Sequence, residues 1–374
     1  MTKRLLLTAF VLVWTASTAW ALPDSTTDER LKRLLDRFPS ADANGDGVLT
    51  LEEAKAFRQA RKNRRPGRRK GPEPTRPNVR YGEHERNVLD LWQAPSESPT
   101  ALVVFIHGGG FKGGDKGLAR SRHGALIQRC LSSGVSFASL NYRLLGDGVA
   151  LPDCLRDSAR AIQYLRHQAG ELNLDKTRIG AFGSSAGAGT SMWLAFHDEL
   201  ADPNAEDPVL RESSRLSVAG SMAGQCTYDV MQWEDLIGSY PGNGTFPTDD
   251  AMRLYGVDSS EQLETDEVIR IRADVDMLGL LTGDDAPVFL IAGGANTEAR
   301  NRGHYVHHPR HSILIRDKAG EVGVESQLVL QGRGRTPPGK NPPQALLDFF
   351  FKHLGVAEQP PSQGPSQQPE SELR

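Results

Sequence analysis

The chain has little to staple it together and little charge to steer it: 3 cysteines in 374 residues and a formal net charge of -3. Cys130, Cys154 and Cys226 are too few and too scattered for a disulfide framework, so at most one bridge can form and the core must hold by packing. Cysteine and histidine do not recur at zinc-ligand spacing, which excludes a zinc-built domain. The apolar run from Leu5 to Trp14 is too short to span about 30 Å of hydrocarbon, which excludes a membrane anchor there. With 38% hydrophobic residues, the composition is that of an ordinary soluble protein able to bury one large core and a small second module.

The ends and the linker differ in composition from the rest. Met1-Thr2-Lys3-Arg4, the apolar run and the small residues ending Ala19-Trp20-Ala21 form the three parts of a signal peptide over residues 1–21. Export to the periplasm or the cell exterior is therefore expected, with no integral membrane span after cleavage. Residues 26–64 carry Leu31, Leu34, Leu35 and Phe38 at helical spacing, with Thr26 and Glu29 as a capping box. Residues 65–80 are basic and proline-bearing and read as a linker. Without interleaved aromatics this run suits a solvated tether or contact with an anionic surface, not nucleic acid. Residues 356–374 are Pro, Gln, Ser and Glu with almost nothing to bury, and are expected to be disordered.

Asp42 to Glu53 match a twelve-residue EF-hand loop position by position. Asp42, Asn44 and Asp46 supply oxygens at positions 1, 3 and 5, Gly47 permits the sharp turn, Val48 offers its carbonyl, and Glu53 can bind through both oxygens. Thr50 acts directly or through a water. A hard cation such as Ca2+ wants six to eight such oxygens, so the loop is a calcium candidate. It is a single loop, whereas such loops usually pair through the position Leu49 occupies, so it is expected to dock on the main domain or on another copy.

Between residues 81 and 355, strand-like and helix-like runs alternate, which predicts an α/β fold: a mostly parallel sheet with helices on both faces. The expected strands are 87–93, 101–106, 135–141, 178–182, 216–221, 288–292 and 324–330. The expected helices are 118–130, 151–167, 186–197, 309–319 and 343–354. The polar, irregular stretch 226–285 is expected to build a lid or a wall of the pocket.

Two glycine-rich turns carry the chemistry. His107-Gly108-Gly109-Gly110-Phe111 and Gly183-Ser184-Ser185-Ala186-Gly187 each follow an apolar run, as acyl transfer requires of oxyanion donors and of a serine on a strand-to-helix turn. Together with Tyr81-Gly82, Val88 to Trp92, Asn141-Tyr142-Arg143-Leu144 and Asp175 to Gly180, their order resembles the α/β-hydrolase fold. The similarity is to carboxylesterases and lipases with an HGGG motif, including the hormone-sensitive-lipase-like and feruloyl-esterase-like groups, and it covers about three-quarters of the chain. It implies Ser185 as nucleophile and the N–H groups of Gly109, Gly110 and Ala186 as the oxyanion hole. His107 is implied as a brace for the glycine turn, Asn141 to Arg143 as support from beneath, and a small carboxylic ester as substrate.

The proton-handling half departs from that pattern. Asn296 falls where the family places its aspartate and Arg335 where it places its histidine. Arginine keeps its proton to about pH 12 and cannot accept one from serine. A replacement is offered by His304, His307, His308 and His311, with Glu298 nearby to orient one of them. The cluster also suits a metal patch or helix capping. Two functions stay open: a secreted serine esterase with a relocated base, His304 or His307, and a catalytically silent hydrolase fold used for binding.

Overall fold

A strand covered on both faces must be apolar at nearly every position, and Thr100–Ile106 is buried along its whole length. Leu102, Val104 and Ile106 enter one apolar layer and Ala101, Val103 and Phe105 the other, the period of two that a pleated strand imposes. The structure, a computed structural model, describes residues 23–64, 70–242, 246–331 and 341–357. The expected signal peptide, Arg335 and the tail beyond residue 357 lie outside the described residues. The chain divides into two units, Met1–Arg68 and Arg69–Arg374.

In the first unit, α1 (Glu29–Arg37) and α2 (Leu51–Arg64) flank the acidic loop, and Leu31, Ala41, Leu49 and Ala54 form a small core. The expected Thr26–Glu29 capping box is replaced. Asp28 caps α1 by accepting from the Arg30 N–H at 2.7 Å, while the Thr26 hydroxyl is spent on Asp24 at 2.6 Å.

The second unit begins earlier than composition suggested. Residues 76–80, assigned above to the linker, form β1 (Arg76–Arg80), which pairs antiparallel with β2 (Val88–Trp92). An edge strand exposes its side chains and tolerates Pro77, so no apolar alternation marks it. Then come β3 (Thr100–Ile106), α3 (Gly117–Arg122), α4 (Gly124–Ser132) and β4 (Ser136–Leu140), the expected single helix being broken at His123. Next are α5 (Leu151–His167), β5 (Leu174–Ser184), α6 (Ala186–Phe196) and β6 (Val218–Met222). Among the described residues, the stretch expected to be irregular instead holds four short helices, α7 (Trp233–Ile237), α8 (Thr248–Tyr255), α9 (Asp266–Asp274) and α10 (Met277–Leu280). Their capping and turn residues keep its sequence polar. The remainder is β7 (Val288–Gly293), α11 (Arg302–Val306), α12 (Pro309–Val322), β8 (Ser326–Gln331) and α13 (Pro342–His353).

The sheet order is β1-β2-β4-β3-β5-β6-β7-β8, with β3 to β8 parallel and β1 and β2 antiparallel at one edge. Side chains of α5, α6 and α12 pack in one layer, and those of α4 and α13 in the other. The three cysteines are buried and unpaired. Loops at the C-terminal ends of the parallel strands therefore gather in one place, where open α/β sheets bind ligands.

Candidate active site

β5 ends at Ser184 and α6 starts at Ala186, so Ser185 alone makes the turn, at φ 51° and ψ -121°. For a residue with a Cβ that conformation costs about 1–3 kcal/mol, and it holds the hydroxyl clear of both elements. The turn is anchored: Ser185 N–H donates to the Met222 carbonyl at 3.0 Å. The close approach depends on Gly187, where a Cβ would lie 2.1 Å from the Ile106 carbonyl oxygen.

The second glycine turn faces this serine. Gly109 has φ 128°, and a Cβ there would lie 2.2 Å from the Gly113 carbonyl oxygen, so only glycine fits. Gly109, Gly110 and Ala186 border the cavity that holds Ser185, and among the described residues their N–H groups meet no hydrogen-bond acceptor. His107 lies beneath. It is fully buried, its Nδ1 is 2.9 Å from the Gly108 carbonyl, and its ring stacks on Tyr142 at 4.4 Å. Burial pushes its pKa down to about 4, so the ring is neutral at pH 7. Tyr142 donates its hydroxyl to the His107 carbonyl at 2.8 Å, and Arg143 grips Asp157 through Nε and Nη2, each at 2.9 Å.

The histidine cluster divides by position. His307 Nε2 lies 2.8 Å from Ser185 Oγ, and its Nδ1 lies 3.1 Å from the Gly303 carbonyl oxygen. A carbonyl can only accept, so Nδ1 carries the proton and the Nε2 lone pair faces the hydroxyl. His304 is turned away: its Nε2 is 2.8 Å from the Ala295 carbonyl and its Nδ1 accepts from the Arg300 N–H at 3.2 Å. His308 caps α12 and reaches the Thr297 carbonyl at 2.8 Å. His311 is buried beside Cys226, edge-on to Trp233, and burial lowers its pKa to about 3. Among the described residues, no three His, Cys, Asp or Glu side chains gather at metal-ligand range.

Asn296 and Glu298 do not reach His307. Both are exposed and line a different cavity with Thr297, His308 and Arg310. The orienting partner of His307 is therefore a backbone carbonyl, which no side-chain pattern could reveal. Sequence reasoning also missed Gln225, whose side-chain amide donates to the Val306 carbonyl at 2.8 Å and ties α11 to the chain just beyond β6. Its place after a parallel strand was the available signal. The cavity measures about 400 Å³, with apolar walls that include Phe111, Leu145, Val230, Trp233 and Phe246.

In the first unit, the calcium-candidate loop is closed by its own backbone. Asp42 accepts from the N–H groups of Gly45 and Gly47, each at 2.8 Å, and Glu53 accepts from Thr50 N–H at 3.0 Å and from the N–H groups of Ala43 and Asn44. Asp46 accepts from the Val48 N–H at 2.8 Å, and Asn44 reaches Asp46 through its amide. These are hard oxygen donors wrapped around one turn, which suits calcium, although the carboxylates have not converged on one point. Within the first unit, the backbone of Leu49 already has a partner. Ser25 N–H donates to the Leu49 carbonyl at 2.9 Å and Leu49 N–H donates to the Ser25 hydroxyl at 2.7 Å.

Comparison with known proteins agrees with this architecture. Residues 89–241 match the BD-FAE family. The chain is 30% identical over 132 residues to a probable isoprenylcysteine alpha-carbonyl methylesterase of Arabidopsis thaliana, a match covering 35% of this chain and 30% of that protein. It thus spans less than a third of that relative's length. Among solved structures, a truncated carbohydrate esterase from gut microbiota superposes with TM-score 0.58 at 19% identity, covering 76% of this chain and 99% of that one. An acetyl ester-xyloside bifunctional hydrolase from Caldicellulosiruptor lactoaceticus gives TM-score 0.55 at 20% identity, over 77% of this chain and 100% of that one. A propionate-bound esterase from Thermogutta terrifontis gives 0.53 at 19%, over 77% and 97%. The second unit has the α/β-hydrolase fold.

Proposed function

We propose that the protein is a serine hydrolase of carboxylic esters in which His307 has taken over as base. The observation that carries the reading is the 2.8 Å contact between Ser185 Oγ and His307 Nε2. Ser185 passes its proton to His307 and attacks the acyl carbon, and the N–H groups of Gly109, Gly110 and Ala186 receive the oxyanion. His307 then gives the proton to the departing alkoxide. Water, deprotonated by the same ring, releases the acid and restores the serine. The Gly303 carbonyl fixes the tautomer as the family's aspartate would, without its charge. The esterase names among the similar proteins point the same way. A silent hydrolase fold would leave Ser185 without a proton acceptor. The test is turnover of a short para-nitrophenyl ester: His307→Ala lowers kcat by about 10²–10⁴, whereas His304→Ala stays within an order of magnitude of wild type. Equal losses in both would contradict the assignment.

We further propose that the first unit binds Ca2+ through Asp42, Asn44, Asp46, the Val48 carbonyl and Glu53. Bound there, the cation would neutralise the loop carboxylates and stiffen the turn. Titration calorimetry on the full chain should give calcium heat that Glu53→Gln removes, and a flat wild-type trace would refute it. Export through residues 1–21 is likewise proposed, and N-terminal sequencing of the secreted chain should begin at Leu22.

A further inference from the structure

The cavity is apolar along its walls and charged at its mouth. Asp250, on α8, accepts from Arg253 Nη1 and from Arg302 Nη2, each at 2.7 Å, and Lys112 Nζ stands 3.9 Å from it. These four residues line the cavity that holds Ser185 and His307, and with Asp249 they also line the open recess outside it. Three cations thus face two carboxylates. Their exposure differs in a telling way: the Asp250 side chain is 18% exposed, but those of Lys112, Arg253 and Arg302 are 49%, 42% and 54% exposed. The cations meet solvent and the central carboxylate sits behind them.

A purely structural ion pair needs one cation for one carboxylate, and exposed pairs contribute little to stability. Here Asp250 takes one N–H from each arginine, and each guanidinium has further donors in a planar fork suited to a carboxylate. Lys112 registers the surplus. Burial, then repulsion from Arg253 and Arg302, holds its ammonium below the ordinary lysine value, and Asp250 offsets this only in part. An added anion would relieve that repulsion.

We propose, building on the ester-hydrolase reading above, that this site takes esters bearing a second, anionic group, a carboxylate on the acyl or the alcohol part. That group docks on Lys112, Arg253 and Arg302 while the ester carbonyl meets Ser185. Lys112 follows Phe111 at the end of the glycine turn, and Arg302 opens the helix whose C-terminus His307 caps. Anion contact is thereby coupled to both halves of the reacting centre.

Binding without turnover tests this in the Ser185→Ala variant of the full chain. Calorimetry would compare mono-para-nitrophenyl glutarate with para-nitrophenyl pentanoate for the acyl side, and para-acetoxybenzoate with its methyl ester for the alcohol side. In at least one pair the anionic member should bind about tenfold tighter or more at low salt. The preference should shrink at 0.5 M salt, where the Debye length is about 4 Å, and should disappear in Arg302→Gln and Lys112→Gln, with circular dichroism confirming their fold. Equal affinity within both pairs would overturn the proposal. Turnover by wild type is read separately: failure to hydrolyse any of the four esters refutes the ester-hydrolase reading, and the binding comparison still decides whether the rim is an anion site.

Discussion

At the scale of single residues, three histidines within five positions are committed to opposite tautomers by their hydrogen-bond partners. His304 and His308 each place Nε2 on a carbonyl and Nδ1 on a backbone N–H, which leaves neither ring a lone pair to offer. His307 alone has Nδ1 on a carbonyl and Nε2 on the serine. The residues of this choice were legible in the sequence as a cluster, but the choice itself depends on backbone carbonyls that carry no residue signature. Glu298 shows the converse: it is close in sequence and lines another cavity. Glu298→Ala should therefore leave ester turnover near wild type, and a hundredfold loss would mean that His307 has a carboxylate partner after all. The buried, neutral rings of His107 and His311 make a separate prediction about pH. Burial lowers their pKa values from 6.5 to about 4 and about 3, so below pH 6.5 the unfolded chain takes up protons that the folded chain refuses. Their stabilising effect is complete above pH 6.5 and is lost as pH falls toward the folded values, at up to roughly 1.4 kcal/mol per pH unit for each ring. Urea unfolding between pH 6.5 and 5.5, where carboxylates barely titrate, should show this fall; a flat profile would contradict it.

At the scale of elements, the parts of the site with long periodic runs were legible and the short ones were not. α5 and the apolar core of β3 follow directly from their patterns, whereas β1 hides at an exposed edge and α11, at five residues, is too short for a helical period to register. Yet α11 is the element that delivers His307. It is held by Tyr305, which is 1% exposed and packed against Trp233, Tyr240 and Phe246 with centroids 5.4–6.0 Å away. Tyr305→Ala should therefore cost about 3–5 kcal/mol of stability and lower kcat, since it frees the base and also removes a ring that supports Trp233 and Phe246 in the cavity wall. If turnover stayed at the wild-type level in the folded fraction, α11 would not be the positioning element. The strand-to-helix turn is still less forgiving. Gly187→Ala drives a methyl group against the Ile106 carbonyl, so soluble, folded protein with wild-type turnover would be incompatible with the geometry described.

At the scale of the whole molecule, two units divide the work. The N-terminal unit carries the calcium-candidate loop, closed by Ser25 against Leu49, and the second carries every group the proposed reaction uses. Chelation should accordingly abolish calcium heat and lower the unfolding midpoint of the first unit while ester turnover persists; a parallel loss of turnover would tie the metal to the chemistry. The α/β architecture was legible because parallel strands buried on both faces must be apolar throughout. The resemblance carried by the two glycine turns singled out Ser185, Gly109, Gly110 and Ala186, which line one cavity, while Asn296 and Arg335 signalled only a departure from the residues the resemblance implies for acid and base. The pairing of Ser185 with His307 is tested most directly by fluorophosphonate labelling of the full chain with the adduct mapped by mass spectrometry. A single adduct on Ser185 is expected, absent in Ser185→Ala and formed about a hundredfold more slowly or worse in His307→Ala. Labelling of all three proteins at one rate, or an adduct elsewhere, would contradict it.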